Sequence, residues 1–234
     1  MKEWPIIFST HSIRGILSGS KTQTRRVIKP QPTVNQLGTL LWTKGRADGQ
    51  INAACPYGYC QQGETGIHPR LWVKEAWRVG KPQDAISPSL IWDKLKERGQ
   101  GITVLYEAGG WVSKCPVKRP VEPAYPDDEP MPTWAGKKRP SMFMPRWASR
   151  ITLEISDVRV QHVQDISEED AIAEGVERRS ASTWRNYFED CSLHSAQQSY
   201  SSLWQAINGK NKPGKEWDAW DLNPFVWAIT FRKI

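Results

Sequence analysis

Residues 19–26, GSKTQTRR, put Lys21, Thr24, Arg25 and Arg26 within one short stretch that holds no carboxylate. Clustered cations of this kind attract phosphates. Residues 1–30 carry six Lys/Arg against Glu3 alone, a local charge of +5 in a protein of net charge +7. Such an excess beside many aromatics suits a polyanion or nucleotide partner. A solvated basic surface is the other reading of the same residues.

A second candidate lies in DISEEDAIAEGVE, residues 165–177. Ser167 is a good N-cap, Glu168, Glu169 and Asp170 fill the first turn, and Gly175 suits a helix terminus, so a helix of about two turns is expected. Glu174 is then placed where the helix dipole disfavours a carboxylate, at a cost of about 0.3–1 kcal/mol when exposed. It either points into water, pairs with Arg178 or Arg179, or meets a cation from elsewhere that cancels the penalty.

No metal or other cofactor is expected. Cys55 and Cys60 form one wide Cys-x4-Cys pair, with His68 and Cys115 in reach of a loop that folds back, and are the place a zinc ion would take. A second compact pair is missing. None of the four histidines lies in a recognisable hydrolase motif.

The elements that must position these groups are legible in part. PIIFS reads as a strand, and Ile13, Ile16 and Leu17 give the next segment a helical stripe that Gly19 ends. RLWVKEAW and ITVLYEA have strand character, and a helix is expected from Pro88 to Arg98. Residues 30–66 show little periodicity, and seven prolines between Cys115 and Pro140 exclude a central strand or a continuous helix there. RITLEISDVRVQHV predicts a strand with a bulge, or a tight hairpin. A helical stripe of Tyr200, Leu203, Trp204 and Ile207 follows, and Phe225, Trp227, Ile229 and Phe231 predict a final strand with one apolar face.

At 234 residues, with 38% apolar residues and 13 Trp, the chain can bury a substantial core, and it shows no repeats and no domain boundary. No apolar run approaches a membrane span, and the N-terminus lacks the pattern of a signal peptide, so a cytoplasmic protein with no membrane partner is expected.

ILSGSKTQTRR, LWVKEAW, PSMFMPRWASRITLEISDVRVQHVQDISEEDAIAEGV and NPFVWAITF together resemble the ASCH domain, a PUA-like family, in the form carried by phages and prophages. The resemblance implies an α+β fold: a small curved β-barrel flanked by short helices. Residues 1–234 would form one such domain, with long loop insertions at about 30–66, 110–140 and 178–195. The family's Gly-x-Lys-x-x-Glu-x-Arg pattern corresponds here to Gly19, Lys21, Thr24 and Arg26, with threonine at the acidic position. That departure resembles bacterial N4-acetylcytidine amidohydrolases, whose catalytic lysine, threonine and glutamate correspond to Lys21, Thr24 and Glu174.

By that resemblance Thr24 attacks the acyl carbonyl, Lys21 takes its proton, and Glu174 relays a proton to the leaving N4 nitrogen. Lysine serves as a base only if its pKa falls toward neutrality, which burial beside Arg25 or Arg26 would favour and Glu174 would oppose. Otherwise Glu174 is the base and Lys21 an electrostatic stabiliser. Arg25 and Arg26 are candidate phosphate holders, and Trp72, Trp77 and Trp147 are candidate base platforms or core residues. Glu75 either orders the cluster through an ion pair or faces solvent. The expected activity is binding of RNA, nucleosides or modified bases, with hydrolysis of N4-acetylcytidine; the alternatives are a non-catalytic RNA-binding module and a ribonuclease of phage origin.

Overall fold

A computed structural model describes residues 3–34, 40–41, 69–114, 132–209 and 219–234. Cys55, Cys60, His68 and Cys115 lie outside these residues, as do most of the segments expected as insertions at 30–66 and 110–140. The fold is mixed α+β, with several sheets and few helices. Among the described residues none of the sheets closes into a barrel, so the expected small curved barrel is not what the strand order displays. Contacts divide the chain into two compact units, one of residues 1–17, 70–154 and 233–234, the other of residues 18–69 and 155–232.

In the first unit, β1 (Glu3–Ile7) pairs in parallel with β5 (Arg70–Lys74), which pairs antiparallel with the start of β9 (Thr152–His162). Helix α1 (Thr10–Ser18) buries Ile13 and Ile16 at the predicted spacing, and the Ser9 hydroxyl accepts from the Ser12 amide at its start. A second sheet joins β6 (Trp77–Arg78), β7 (Ile102–Tyr106) and β8 (Trp111–Lys114), with helix α2 (Pro88–Glu97) between β6 and β7 in sequence. Trp77, Val79, Ile91, Leu95, Val104 and Met144 form its core.

In the second unit, β9 continues from Ile155 as one strand, not a hairpin, beside β12 (Phe225–Lys233) and then β2 (Gln23–Val27). The register of β12 on β2 sets Ile229 opposite Thr24 and Ala228 opposite Arg25. Val226 through Ile229 are all buried, so β12 is covered on both faces rather than on the one that alternation predicted. A strand hydrogen-bonded on both sides has no free edge to present to water. Helix α3 (Glu168–Ala173) is short and helix α4 (Ala196–Asn208) longer. The Glu168 carboxylate accepts from the first amides of α4, at Ala196 and Gln197, and so ties the two helices. Tyr200 and Trp204 are buried as predicted, whereas Ile207 at the end of the stripe is exposed. Two small hairpins complete the unit: β3 (Thr33–Val34) with β4 (Leu40–Leu41), and β10 (Trp184–Arg185) with β11 (Ser192–Leu193), the latter inside the segment expected as an insertion.

Trp77 has no exposed surface, and its ring meets Trp147 edge-on at 5.8 Å with the Arg139 guanidinium over it. Trp77→Ala is expected to lower unfolding free energy by about 3–5 kcal/mol, as truncation of a packed core aromatic does. Urea titration of the folded variant measures it.

Candidate functional site

The second unit brings Lys21 and Glu174 together across 153 positions of sequence. Lys21 immediately precedes β2 by two residues, and the first amide after it, on Thr22, donates to the Ala173 carbonyl at the end of α3. That backbone bond docks the start of the strand on the end of the helix. The Lys21 ammonium then donates to the Glu174 carboxylate at 2.7 Å and to the Glu174 carbonyl at 2.6 Å. A cation therefore sits at the C-terminal end of α3, where the dipole favours one, and it offsets the penalty that sequence position imposes on Glu174. Arg178 and Arg179 take other partners, the Ala181 carbonyl and Asp190.

Strand pleating sends Gln23 and Arg25 to one face of β2, and a helix puts positions four apart on one face. The two faces match. Arg25 donates to Glu174 at 3.0 Å and to Asp170 at 2.7 Å, and Gln23 donates to Asp170 at 2.8 Å. Arg159 of β9 adds a further bond to Asp170. Lys21, Arg25 and Glu174 are each about 95% buried, which is tolerable because two cations face two carboxylates and the hydrogen bonds are nearly complete. The ring of Tyr200, from α4, lies 5.7 Å from the Arg25 guanidinium carbon.

Burial pulls the Lys21 ammonium below the ordinary lysine value; Glu174 opposes this, while Arg26 and Arg25 add to it. That is the direction a lysine base requires. Burial also opposes ionisation of Asp170, but the hydrogen bond from Gln23 and the charges of Arg25 and Arg159 outweigh it and leave that carboxyl below its usual range. The Tyr200 phenol is pushed well above its ordinary value, by burial first and then by the Glu174 charge.

Gly19 ends α1 with φ at 81°. Thr24 is buried, yet the pleat places it on the face of β2 opposite Gln23 and Arg25, and among the described residues no hydrogen bond joins it to Lys21 or Glu174. Arg26 shares that opposite face by the same alternation. Trp72, Glu75, Trp77 and Trp147 belong to the first unit. There Glu75 is buried and takes a two-pronged bond from Arg150 at 2.9 and 3.0 Å, a partner absent from the sequence reading. Burial raises its pKa, against the pull of Arg150. Trp147 stacks on Trp92 at 5.2 Å, Trp72 has the Lys74 ammonium 5.4 Å from its ring centre, and Trp77 is core. No group of His, Cys, Asp and Glu suited to a metal ion occurs among the described residues.

Comparison with protein-family models, curated proteins and solved structures finds no match. The site therefore rests on its own geometry. Sequence reading missed Gln23, Asp170, Arg159 and Tyr200. The signal for the first two was present: Gln23 is two residues from Arg25, and Asp170 is four from Glu174, so each shares a face with a residue already singled out.

Gly175 carries two constraints, a φ of 82° and a position where an added Cβ would lie 2.9 Å from the Lys21 Cβ. Gly175→Ala is expected to cost at least about 1–2 kcal/mol, from the left-handed backbone alone, and to loosen Lys21; thermal unfolding and amide exchange at Thr22 report the two effects. For Asp170 the folded pKa lies below the unfolded one, near 3.8, so its stabilisation is complete above that pH and is lost as pH falls through the folded value. Unfolding of Asp170→Asn, followed from pH 5 to pH 2, is expected to show a shallower loss of stability than the unaltered protein.

Proposed function

We propose that this chain is an ASCH-type, PUA-like protein that acts on nucleosides or modified bases, removing the acyl group from N4-acetylcytidine. The observation that carries the reading is the buried Lys21–Glu174 pair, with its ammonium pulled below the ordinary lysine range. Amide hydrolysis needs a base, a proton donor for the leaving amine and stabilisation of an oxyanion. Lys21 in its neutral form takes the proton of the nucleophile, which is the Thr24 hydroxyl by family resemblance, and the acyl carbon gains an oxygen. The C–N bond then breaks, N4 receives a proton through Lys21 or Glu174, and water completes release of the acid. Arg25 holds Glu174 in place through its second carboxylate oxygen.

A second reading, a module that grips RNA or a nucleoside without chemistry, is favoured by the absence of any hydrogen bond between Thr24 and the pair. One assay separates them. Purified protein is expected to convert N4-acetylcytidine to cytidine, with Lys21→Met and Glu174→Gln each lowering kcat by roughly 100-fold or more while retaining a cooperative melt. Thr24→Val is expected to fall with them if threonine is the nucleophile. No turnover by the unaltered protein sinks the hydrolase and leaves the grip.

A further inference from the structure

The segment that follows Glu174 builds a second site. Residues between Glu177 and Asp190 line an open cleft of about 460 Å³, inside the roughly 300–1,000 Å³ of small-molecule sites. Its walls are held from behind. The Tyr187 hydroxyl accepts from the Glu177 amide, the Tyr187 amide donates to Ser202, and Ser199 donates to the Arg185 carbonyl, so α4 fixes the hairpin.

Two of the cavity's arginines are neutralised, Arg179 by Asp190 and Arg185 by Glu177. Arg178 has no carboxylate partner among the described residues. Its guanidinium carbon lies 4.6 Å from the centre of the Trp184 ring, and one of its nitrogens donates to the Ala181 carbonyl, so the cation is braced rather than free to swing. Phe188, also in the wall, is 56% exposed, so part of its ring is open to a stacking ligand. Glu189 adds an acceptor whose carboxylate meets only the Cys191 thiol, at 3.9 Å, among the described residues.

We infer that this cavity takes one nucleotide of a single-stranded polynucleotide, with the base on Phe188, the phosphate on Arg178, and an exocyclic amine or ribose hydroxyl on Glu189. Those are the three recognition chemistries a splayed nucleotide offers. Glu177 is three residues from Glu174, which limits their Cα separation to about 11 Å. The rim of the cavity at Glu177 therefore begins within that distance of Glu174 along the chain. Resting on the reading of that pair as a site for cytidine derivatives, the inference deepens it: a modified base within a polymer is preferred over the free nucleoside, which is also turned over.

The test uses the full chain and a fluorescein-labelled ten-nucleotide oligocytidylate, in ribose and deoxyribose forms, read by anisotropy. Phe188→Ala is expected to weaken binding about tenfold, the loss of one stacked base, and Arg178→Ala to reduce the slope of log K against log salt by about 0.7. A tighter ribose form assigns RNA; equal affinity assigns either strand. In the companion assay both variants are expected to raise KM for N4-acetylcytidine within the oligonucleotide and leave KM for the free nucleoside unchanged. Binding absent in the unaltered protein, or indifferent to both substitutions, overturns the inference. Failure of the hydrolase reading looks different: no turnover, with substitution-sensitive binding intact.

Discussion

The closure of β2 on the end of α3 through buried charge is the constraint on which the second unit depends. Lys21 and Arg25 face Glu174 and Asp170 with almost no solvent to moderate them. Burying any one of these groups alone would cost several kcal/mol, so the cluster holds only if all four arrive together. Their arrival requires the Thr22–Ala173 backbone bond, the β2–β12 register and a helix that ends at Gly175. The remaining features of the unit follow as supports: Gln23 and Arg159 complete the hydrogen bonding of Asp170, and Tyr200 closes the cluster from α4.

The same constraint is what the proposed hydrolase reading draws on. A lysine held dry against a carboxylate is pulled in two directions, by burial toward the neutral amine and by Glu174 toward the ammonium. Burial wins here, and Arg25 and Arg26 reinforce it. A group balanced in this way changes protonation at smaller cost than an exposed lysine, which is what acid and base work asks. A purely structural ion pair would gain nothing from that balance, and apolar residues of similar volume would serve stability as well.

In the first unit a second buried pair, Glu75 with Arg150, has a different character. The guanidinium carbon of Arg150 lies 4.0 Å from the centre of the Tyr106 ring, while the Tyr106 hydroxyl donates to the Ala148 carbonyl. Each group in that chain has its partner inside one sheet-and-loop layer beside the tryptophan core. Its geometry is that of a brace, which joins the β5 end to the segment before β9, and the tryptophans around it pack on one another.

Sequence alone determined what neighbours along the chain decide. Ser167 as the cap of α3, Gly19 and Gly175 as helix ends, the stripes of α1 and α4, and the strand character of β7, β9 and β12 follow from side-chain periodicity and local backbone preference. The basic cluster at 19–26 and the misplaced carboxylate at Glu174 were visible for the same reason, since a charge at the wrong end of a helix is a local conflict. Which cation resolved it was not. Arg178 and Arg179 are nearer in sequence, yet Lys21 and Arg25 take the place because the sheet register of β2 delivers a strand face of matching charge. The two buried faces of β12, the partner of Glu75 and the core role of Trp77 were likewise decided only by tertiary structure. Each depends on pairing between strands and helices far apart in the chain, and such pairing depends on which whole surfaces can be buried together, a property that no short stretch of residues contains.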